Sequence, residues 1–157
     1  VETLQDVIFK INANNQLTFL NKAWQEVTGF DVFLSLEKPL LDFVHPEDRE
    51  GVGTKLKAYQ EGSGSLNLEF RILHAQGDFR WVNAMVRNTP EGEEKSGTLV
   101  NIHAQKQVQL ALQESEERFR LMSENMTELV CMHDTQGCLT YVSPSCKNLL
   151  GYEQADM

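Results

Sequence analysis

Two stretches of this sequence repeat each other and decide the fold. Residues 6–30 read DVIFKINANNQLTFLNKAWQEVTGF, and residues 128–152 read ELVCMHDTQGCLTYVSPSCKNLLGY, which align without a gap at an offset of 122. The identical positions are Leu17 and Leu139, Thr18 and Thr140, and Gly29 and Gly151. Several further pairs match in size or polarity, so we expect the same local structure twice in one chain.

The first copy is predicted to be a β-hairpin followed by a short helix. Residues 7–12 and 16–20 are rich in β-branched and aromatic residues and flank a polar turn. The side chain of Asn21 is expected to cap a helix over residues 22–27, and Gly29 to end that helix in a left-handed conformation.

The sequence between the two copies adds more helix and three further strands. A second helix is predicted to begin at Pro46, because Pro suits the first helical position and two acidic residues follow it. Apolar residues then alternate with polar ones over residues 66–72, which is the pattern of a half-buried strand. Two more strands are predicted over residues 79–88 and 97–103.

Residues 104–126 are predicted to form a long helix between two domains. One face follows the alternating steps of four and three that make a coiled-coil seam. The seam residues are Val108, Leu112, Ser115, Phe119, Met122 and Met126. The spacing fits a helix that pairs with a second chain, and it also fits a helix that packs on its own domain. The predicted boundaries are 1–103 for a complete domain, 104–126 for the helix and 127–157 for the first part of a second domain.

Composition excludes several classes of function. The 157 residues carry 14 Lys and Arg against 23 Asp and Glu, so the formal net charge is −9, which argues against a nucleic-acid surface. No apolar run approaches the roughly 20 residues that cross a bilayer, so we expect no membrane contact within this chain. Three cysteines do not form a paired disulfide framework, which favours a cytoplasmic location.

A series of motifs then occurs in order along the chain. They are Asn21-x-Ala23, Thr28-Gly29-Phe30, His45-Pro46-Glu47-Asp48-Arg49, Leu68-Glu69-Phe70-Arg71, Gly77-Asp78-Phe79-Arg80-Trp81-Val82, Gly97 to Ile102, and Glu114 to Arg120. Together they resemble a PAS sensory domain, with the last motif similar to the junction between tandem PAS domains. The resemblance covers almost the whole chain. It implies an α+β fold, in which a five-stranded antiparallel sheet carries helices over one face and is followed by a long linker helix.

One departure from the family pattern lies where the last strand ends. The family usually has Asp-Ile-Thr there, and the Asp and Thr help to transmit the signal into the exit helix. This chain has Asn101, Ile102 and His103 instead. The resemblance makes these three residues the predicted signal relay, although Asn lacks the charge and His adds a group that can titrate near neutrality.

The resemblance also implies a cavity between the helices and the sheet. Its predicted walls are the large apolar residues of that region: Trp24, Phe33, Phe43, Val52, Tyr59 and Phe70. Because these walls carry few charges, a small and mostly uncharged ligand suits them. The alternative is that the side chains fill the space themselves, since protein interiors are densely packed.

Cofactor classes are narrowed by the residues that each requires. Residues 1–103 contain no Cys, so a covalent flavin adduct is not expected, and residues 47–61 contain no His to serve as a haem ligand. Non-covalent binding of flavin is not excluded by any single residue. A zinc site of Cys131, His133, Cys138 and Cys146 is disfavoured, because the repeat places Cys131 and Cys146 at apolar core positions. No metal and no catalytic residues are therefore predicted.

These expectations combine into one functional hypothesis. The chain is predicted to be a non-enzymatic sensory module of a bacterial signalling protein, such as a sensor histidine kinase or diguanylate cyclase. It would act as a homodimer and relay a signal through the linker helix to downstream effector domains of the same polypeptide. The alternatives are a ligand-free dimerisation spacer and a redox or light sensor with non-covalent flavin. Open strand edges within residues 129–142 are expected to be covered by the first domain or by another chain.

Overall fold

The computed structural model describes residues 6–59, 64–125 and 127–156, which form two compact units over residues 1–106 and 107–157. Met126 of the predicted seam, and residues 60 and 61 of the 47–61 segment without a His, lie outside the described residues. The boundary between the units falls inside the long helix, and the predicted division into three segments stays a prediction.

The first unit contains a five-stranded sheet and a layer of short helices. Its elements are β1 (Val7–Ile11), β2 (Leu17–Leu20), α1 (Ala23–Thr28), α2 (Val32–Ser35), a 3-10 turn (Leu40–Phe43), α3 (Pro46–Ala58), β3 (Leu66–Leu73), β4 (Phe79–Asn88) and β5 (Lys95–Asn101). The strand order is β2-β1-β5-β4-β3, and every neighbouring pair is antiparallel. The predicted fold class is confirmed.

The core lies between one face of the sheet and the helices. Side chains alternate across a strand, so Val7, Phe9 and Ile11 of β1 are fully buried while the residues between them face outward. Leu68, Phe70 and Ile72 of β3 are buried in the same way. Residues of α1 and α3 belong to the same buried cluster, so the helical layer packs on that face of the sheet.

Three predicted details of the first unit are wrong. Strand β5 begins at Lys95 and ends at Asn101, and the long helix α4 (His103–Asn125) begins one residue earlier than predicted. Asn21 does not cap α1, since no side chain caps that helix. Its amide instead accepts a hydrogen bond from the Ile8 N–H and donates one to the Asp6 carbonyl, each 3.0 Å long. In this position both the oxygen and the nitrogen of the Asn21 side chain are hydrogen-bonded, whereas a helix cap would use only the oxygen.

The second unit contains the rest of α4 and a small hairpin with a helix. Its other elements are β6 (Cys131–His133), β7 (Leu139–Val142), α5 (Cys146–Leu150) and a 3-10 turn (Gln154–Asp156). Among the described residues, β6 pairs only with β7, and all three of its residues are exposed. Cover of these strand edges, by the first domain or by another chain, stays a prediction.

The hairpin of the second unit repeats the hydrogen bonds of the first. In β1 and β6 the register shifts at the same position of the repeat. Two serines replace the single amide of Asn21: Ser143 Oγ accepts from the Val130 N–H, and Ser145 Oγ donates to the Glu128 carbonyl at 2.7 Å. The two hydroxyl groups also bond to each other at 2.6 Å. The repeat read from the sequence is therefore a structural repeat.

Candidate functional site

Four of the six predicted cavity residues share the interior of the first unit. Trp24, Phe43, Val52 and Phe70 lie in one buried cluster between helices and sheet. The Trp24 and Phe43 rings meet edge to face with centroids 5.0 Å apart, and Trp24 Nε1 donates to Ser35 Oγ at 3.0 Å. These side chains pack directly against each other, and ligand binding by them stays a prediction.

Phe33 does not belong to that interior. It lies on α2, a helix of four residues in which Ser35 is the buried one. Asp31 caps this helix by accepting from the Leu34 N–H, and this orientation leaves Phe33 83% and Leu34 72% exposed. Size and hydrophobicity alone suggested Phe33, but a single helical turn can bury only one side.

Tyr59 lies at the edge of the interior, where α3 ends. It is 9% exposed, and its hydroxyl donates to the Gly64 carbonyl. Tyr59 also lines a surface cleft of about 460 Å³ together with Asn12 and Lys95. It is therefore placed at a rim of the helical layer rather than within the central cluster.

A second cleft, of about 400 Å³, opens in the helical layer. The residues that line it are Phe30, Asp31, Leu34, Ser35, Lys38, Asp42 and Phe43. Phe43 contacts Trp24 on its buried side, and Ser35 is the hydrogen-bond partner of the Trp24 indole. Two residues of this cleft thus lie directly against the central aromatic cluster.

The predicted relay residues connect the sheet to α4 without a loop. Asn101 is the last residue of β5, and its Oδ1 accepts from the His103 N–H at 3.0 Å, which caps the helix start. Ile102 donates its N–H to the Trp81 carbonyl at 2.9 Å. His103 Nδ1 accepts from the Trp81 N–H at 3.3 Å. Asn supplies the acceptor that the family's Asp would supply, and the backbone of Trp81 holds both residues that follow.

A charged cluster beside this junction was not predicted from the sequence. Arg71 donates to both carboxylate oxygens of Asp48, through Nε at 3.0 Å and NH2 at 2.6 Å, and Asp48 also accepts from the Arg71 backbone N–H. The Arg71 guanidinium carbon lies 5.6 Å from the ring centroid of Trp81, its partner across the β3–β4 ladder. Lys106 Nζ lies 5.2 Å from the same ring and 2.6 Å from Glu69 Oε2. We call these five residues the Trp81 clamp.

Within the Trp81 clamp, Asp48 and Arg71 shift each other's pKa in opposite directions. The hydrogen bond from Arg71 lowers the pKa of Asp48 below its ordinary value of 3.8, although partial burial opposes the shift. Asp48 in turn raises the pKa of Arg71. The sequence offered one signal for this pair, since both residues belong to quoted motifs, but their spacing of 23 residues could not show that they meet.

The residues of the predicted α4 seam differ in whether they contact the rest of their unit. Val108 and Leu112 are 71% and 60% exposed. Phe119, in contrast, contacts Tyr141 of β7 with centroids 5.3 Å apart, so this end of the helix packs on its own unit. Ser123, which was not in the predicted seam, is the buried residue of α4. The remaining seam positions, Ser115 and Met122, are exposed.

The cysteines of the second unit differ in burial. Cys131 and Cys138 are exposed, and Cys146 is buried with its thiol directed at the Tyr152 carbonyl. In the described ranges, no three His, Cys, Asp or Glu side chains are close enough to hold a metal ion.

A five-stranded antiparallel sheet, helices over one face and a helix leaving the last strand define a PAS sensor domain. Comparison with known families agrees: the PAS fold matches residues 17–103, more than half of the chain, and a PAS domain matches residues 117–157. The chain therefore belongs to the PAS family, whose domains are sensory and not catalytic.

Similar proteins are sensors of bacterial signalling systems. The chain is 24% identical to the sensor protein FixL of Bradyrhizobium diazoefficiens over 88% of its own length and 27% of FixL. It is 25% identical to the two-component sensor PprA of Pseudomonas aeruginosa over 80% of its length and 14% of PprA. A sensory box histidine kinase/response regulator from Burkholderia thailandensis has the same fold, with 24% identity, 73% of this chain and 90% of that chain covered, and a TM-score of 0.59.

These comparisons cover part of the curated relatives only. The chain spans about a quarter of the length of FixL and about a seventh of PprA. Across the residues that the structure describes, no helix combines the length and apolar character that crossing a bilayer requires.

Proposed function

We propose that this chain is a cytoplasmic sensory module that passes a signal from its first PAS unit into α4. The observation that carries the proposal is the junction at residues 101–103. Strand β5 and helix α4 are separated by Ile102 alone, and the side chains of Asn101 and His103 each accept a backbone hydrogen bond that fixes the helix start. A change in the sheet therefore moves the helix, because no flexible linker absorbs it.

The signal is a small, mostly uncharged ligand held among Trp24, Phe43, Val52 and Phe70, with Tyr59 at the rim. The cleft lined by Phe43 supports this choice, since two of its lining residues, Phe43 and Ser35, contact Trp24 of the aromatic cluster. Native mass spectrometry of the protein as purified tests it, because a retained ligand adds a defined mass. A protein that carries no ligand and binds none from a library of uncharged small molecules contradicts it.

The second candidate function is a ligand-free dimerisation spacer. The direct contact between Trp24 and Phe43 favours it, because rings that already fill the interior leave a ligand less room. A redox or light sensor with non-covalent flavin is the third candidate. Its test is the visible absorption spectrum, since bound flavin colours the protein and a colourless preparation rules it out.

The module acts as a homodimer through the exposed part of the α4 seam. Val108 and Leu112 support this, since both are mostly exposed and lie on one helix face. Replacing both with Glu is expected to weaken the dimer about tenfold or more, because a carboxylate in an apolar seam loses its hydration. Sedimentation equilibrium measures this effect.

The matched control for the dimer is Leu110→Glu. Leu110 is 52% exposed on the opposite side of the same helix, so its substitution adds equal helix perturbation outside the seam. A dimer that persists in the Val108→Glu, Leu112→Glu variant, or one that Leu110→Glu disrupts equally, contradicts the seam.

Downstream of α4, the proposed effector is a domain of the same polypeptide, a histidine kinase or a diguanylate cyclase. Similarity to FixL and PprA supports the kinase. Autophosphorylation of the full-length protein, measured with and without the ligand, tests this assignment.

A further inference from the structure

We propose that the Trp81 clamp couples helix α3 to the start of α4, so that the helical layer controls the exit helix through a second route beside the strand end. This inference rests on the proposed relay function and names side chains that carry it. The clamp joins α3, β3, β4 and α4 through Asp48, Arg71, Trp81, Glu69 and Lys106, all within the first unit.

The first contact of the proposed route joins the start of α3 to the edge of the sheet. Strand β3 is an edge strand, and the backbone of Arg71 faces that edge. The segment that starts α3 covers it: the His45 N–H donates to the Arg71 carbonyl at 2.9 Å, and Asp48 accepts from the Arg71 N–H at 2.9 Å. Covering a strand edge in this way fixes the first turn of α3 to β3.

The second step crosses from β3 to β4. The Asp48 carboxylate accepts hydrogen bonds from both the guanidinium and the backbone N–H of Arg71. These bonds hold the guanidinium in one orientation. In that orientation the guanidinium lies 5.6 Å from the Trp81 ring centroid, within the range of a cation–π contact. The side chains of Arg71 and Asp48 are only 21% and 20% exposed, so water weakens this contact less than it would at an open surface.

The third step reaches α4. Lys106, in the first turn of that helix, places its ammonium 5.2 Å from the Trp81 ring centroid and pairs with Glu69, two residues before Arg71 on the same face of β3. Trp81 also bonds to Ile102 and His103 through its backbone. One residue of β4 thus contacts the α4 start through both its ring and its peptide groups.

The test is a double-mutant cycle in the unliganded 157-residue chain, with hydrogen exchange at the Ile102 amide as the readout. This N–H donates to the Trp81 carbonyl, so its protection measures opening at the α4 start. Asp48→Asn is expected to lower its protection on the order of threefold, although Asp48 lies on α3. In a Lys106→Met background, Asp48→Asn is expected to have no further effect on Ile102 protection. In a Lys106→Arg background, which keeps the cation, Asp48→Asn is expected to lower Ile102 protection again.

Asp78→Asn is the matched control. Asp78 also pairs with an arginine, Arg80, in the same β3–β4 hairpin, but it has no contact with Trp81 among the described contacts. It is expected to leave Ile102 protection unchanged. Urea unfolding of each variant confirms that the fold is retained, and Trp81→Phe, which keeps an aromatic face, is expected to preserve the coupling that Trp81→Leu abolishes.

An Asp48→Asn effect of equal size in the Lys106→Met background overturns the proposal, because the strand-end hydrogen bonds would then carry the coupling alone. Unchanged hydrogen-exchange protection of the Ile102 amide in the Asp48→Asn variant overturns the proposal as well. Neither result bears on the ligand or the dimer, which native mass spectrometry and sedimentation decide separately.

Discussion

At the scale of single residues, Gly97 makes room on β5 for the ring of Phe9. It lies on β5 opposite Phe9, and a Cβ at this position would stand 2.5 Å from Phe9 Cζ and 2.8 Å from the Met85 carbonyl oxygen. Phe9 is fully buried, so its ring has no room to move away. A strand glycine of this kind serves close packing rather than a turn.

Gly97→Ala is therefore expected to destabilise the first unit by about 2–3 kcal/mol, the cost of overpacking a rigid core. Urea denaturation measures the change. Gly51→Ala provides the control, because Gly51 lies exposed on α3 and a Cβ there would meet no atom within 4 Å, so the helix is expected to gain about 0.5–1 kcal/mol. Equal effects of the two substitutions would contradict the steric argument.

The charge of Asp48 makes stability depend on pH. Because hydrogen bonds from Arg71 lower its pKa below 3.8 in the folded state, its contribution is complete above that value and is lost as the pH falls through the lower, folded pKa. Asp48→Asn is expected to cost about 1–2 kcal/mol at pH 7, since it removes the half-buried charge that pairs with Arg71 and leaves the more exposed Glu47 as its carboxylate partner. The difference between the two proteins in unfolding free energy is expected to shrink as the pH falls below 3.8. A difference that stays constant down to about pH 2 argues against the ionised pair.

At the scale of elements, the two hairpins make equivalent hydrogen bonds to the backbone at the start of their first strand, but with different side chains. Asn21 accepts from Ile8 and donates to Asp6, whereas Ser143 and Ser145 divide the two tasks between them. Ser145 occupies the repeat position of Ala23, so the first unit lacks the second hydroxyl.

Asn21→Ser is accordingly expected to destabilise the first unit by about 1 kcal/mol, because the Asp6 carbonyl loses its donor. Adding Ala23→Ser is expected to recover part of that loss by recreating the serine pair of the second unit. Thermal unfolding compares the three proteins, with Asn14→Ala at an exposed turn position as the control. A double variant that is no more stable than Asn21→Ser means that the two hairpins are not interchangeable.

At the scale of the whole chain, the two units differ in completeness. Strand β1 lies between β2 and β5, whereas β6 pairs only with β7 in the described part of the chain. The Ile8 peptide faces β2, so by the alternation of the ladder the Phe9 peptide faces β5, and its repeat counterpart Cys131 faces the edge of β6 that lies away from β7.

The Cys131 amide is expected to exchange on the order of a hundredfold faster than the Phe9 amide in dilute protein, because an isolated hairpin is only marginally stable. Its protection is expected to rise with protein concentration, as a second chain covers the edge, while Phe9 protection stays constant. Hydrogen exchange monitored by NMR at several concentrations measures both. Cys131 protection that is independent of concentration contradicts cover by a second copy.

Sequence alone determined the features that depend on neighbouring residues. Alternation over residues 66–72, Pro46 at a helix start and Gly29 at φ +73° are local properties of the backbone, and each was predicted correctly. The repeat is also visible in the sequence, because a constant offset needs no knowledge of packing.

Which side chains meet depends on how distant segments of the chain pack together. Phe33 faces solvent, Asn21 serves a strand instead of a helix, and the Trp81 clamp joins residues that lie far apart along the chain. The physical reason is that periodicity sets which face of an element is buried, whereas a contact also requires the position of the second element. That position follows from how all the strands and helices pack together, which no short stretch of sequence contains.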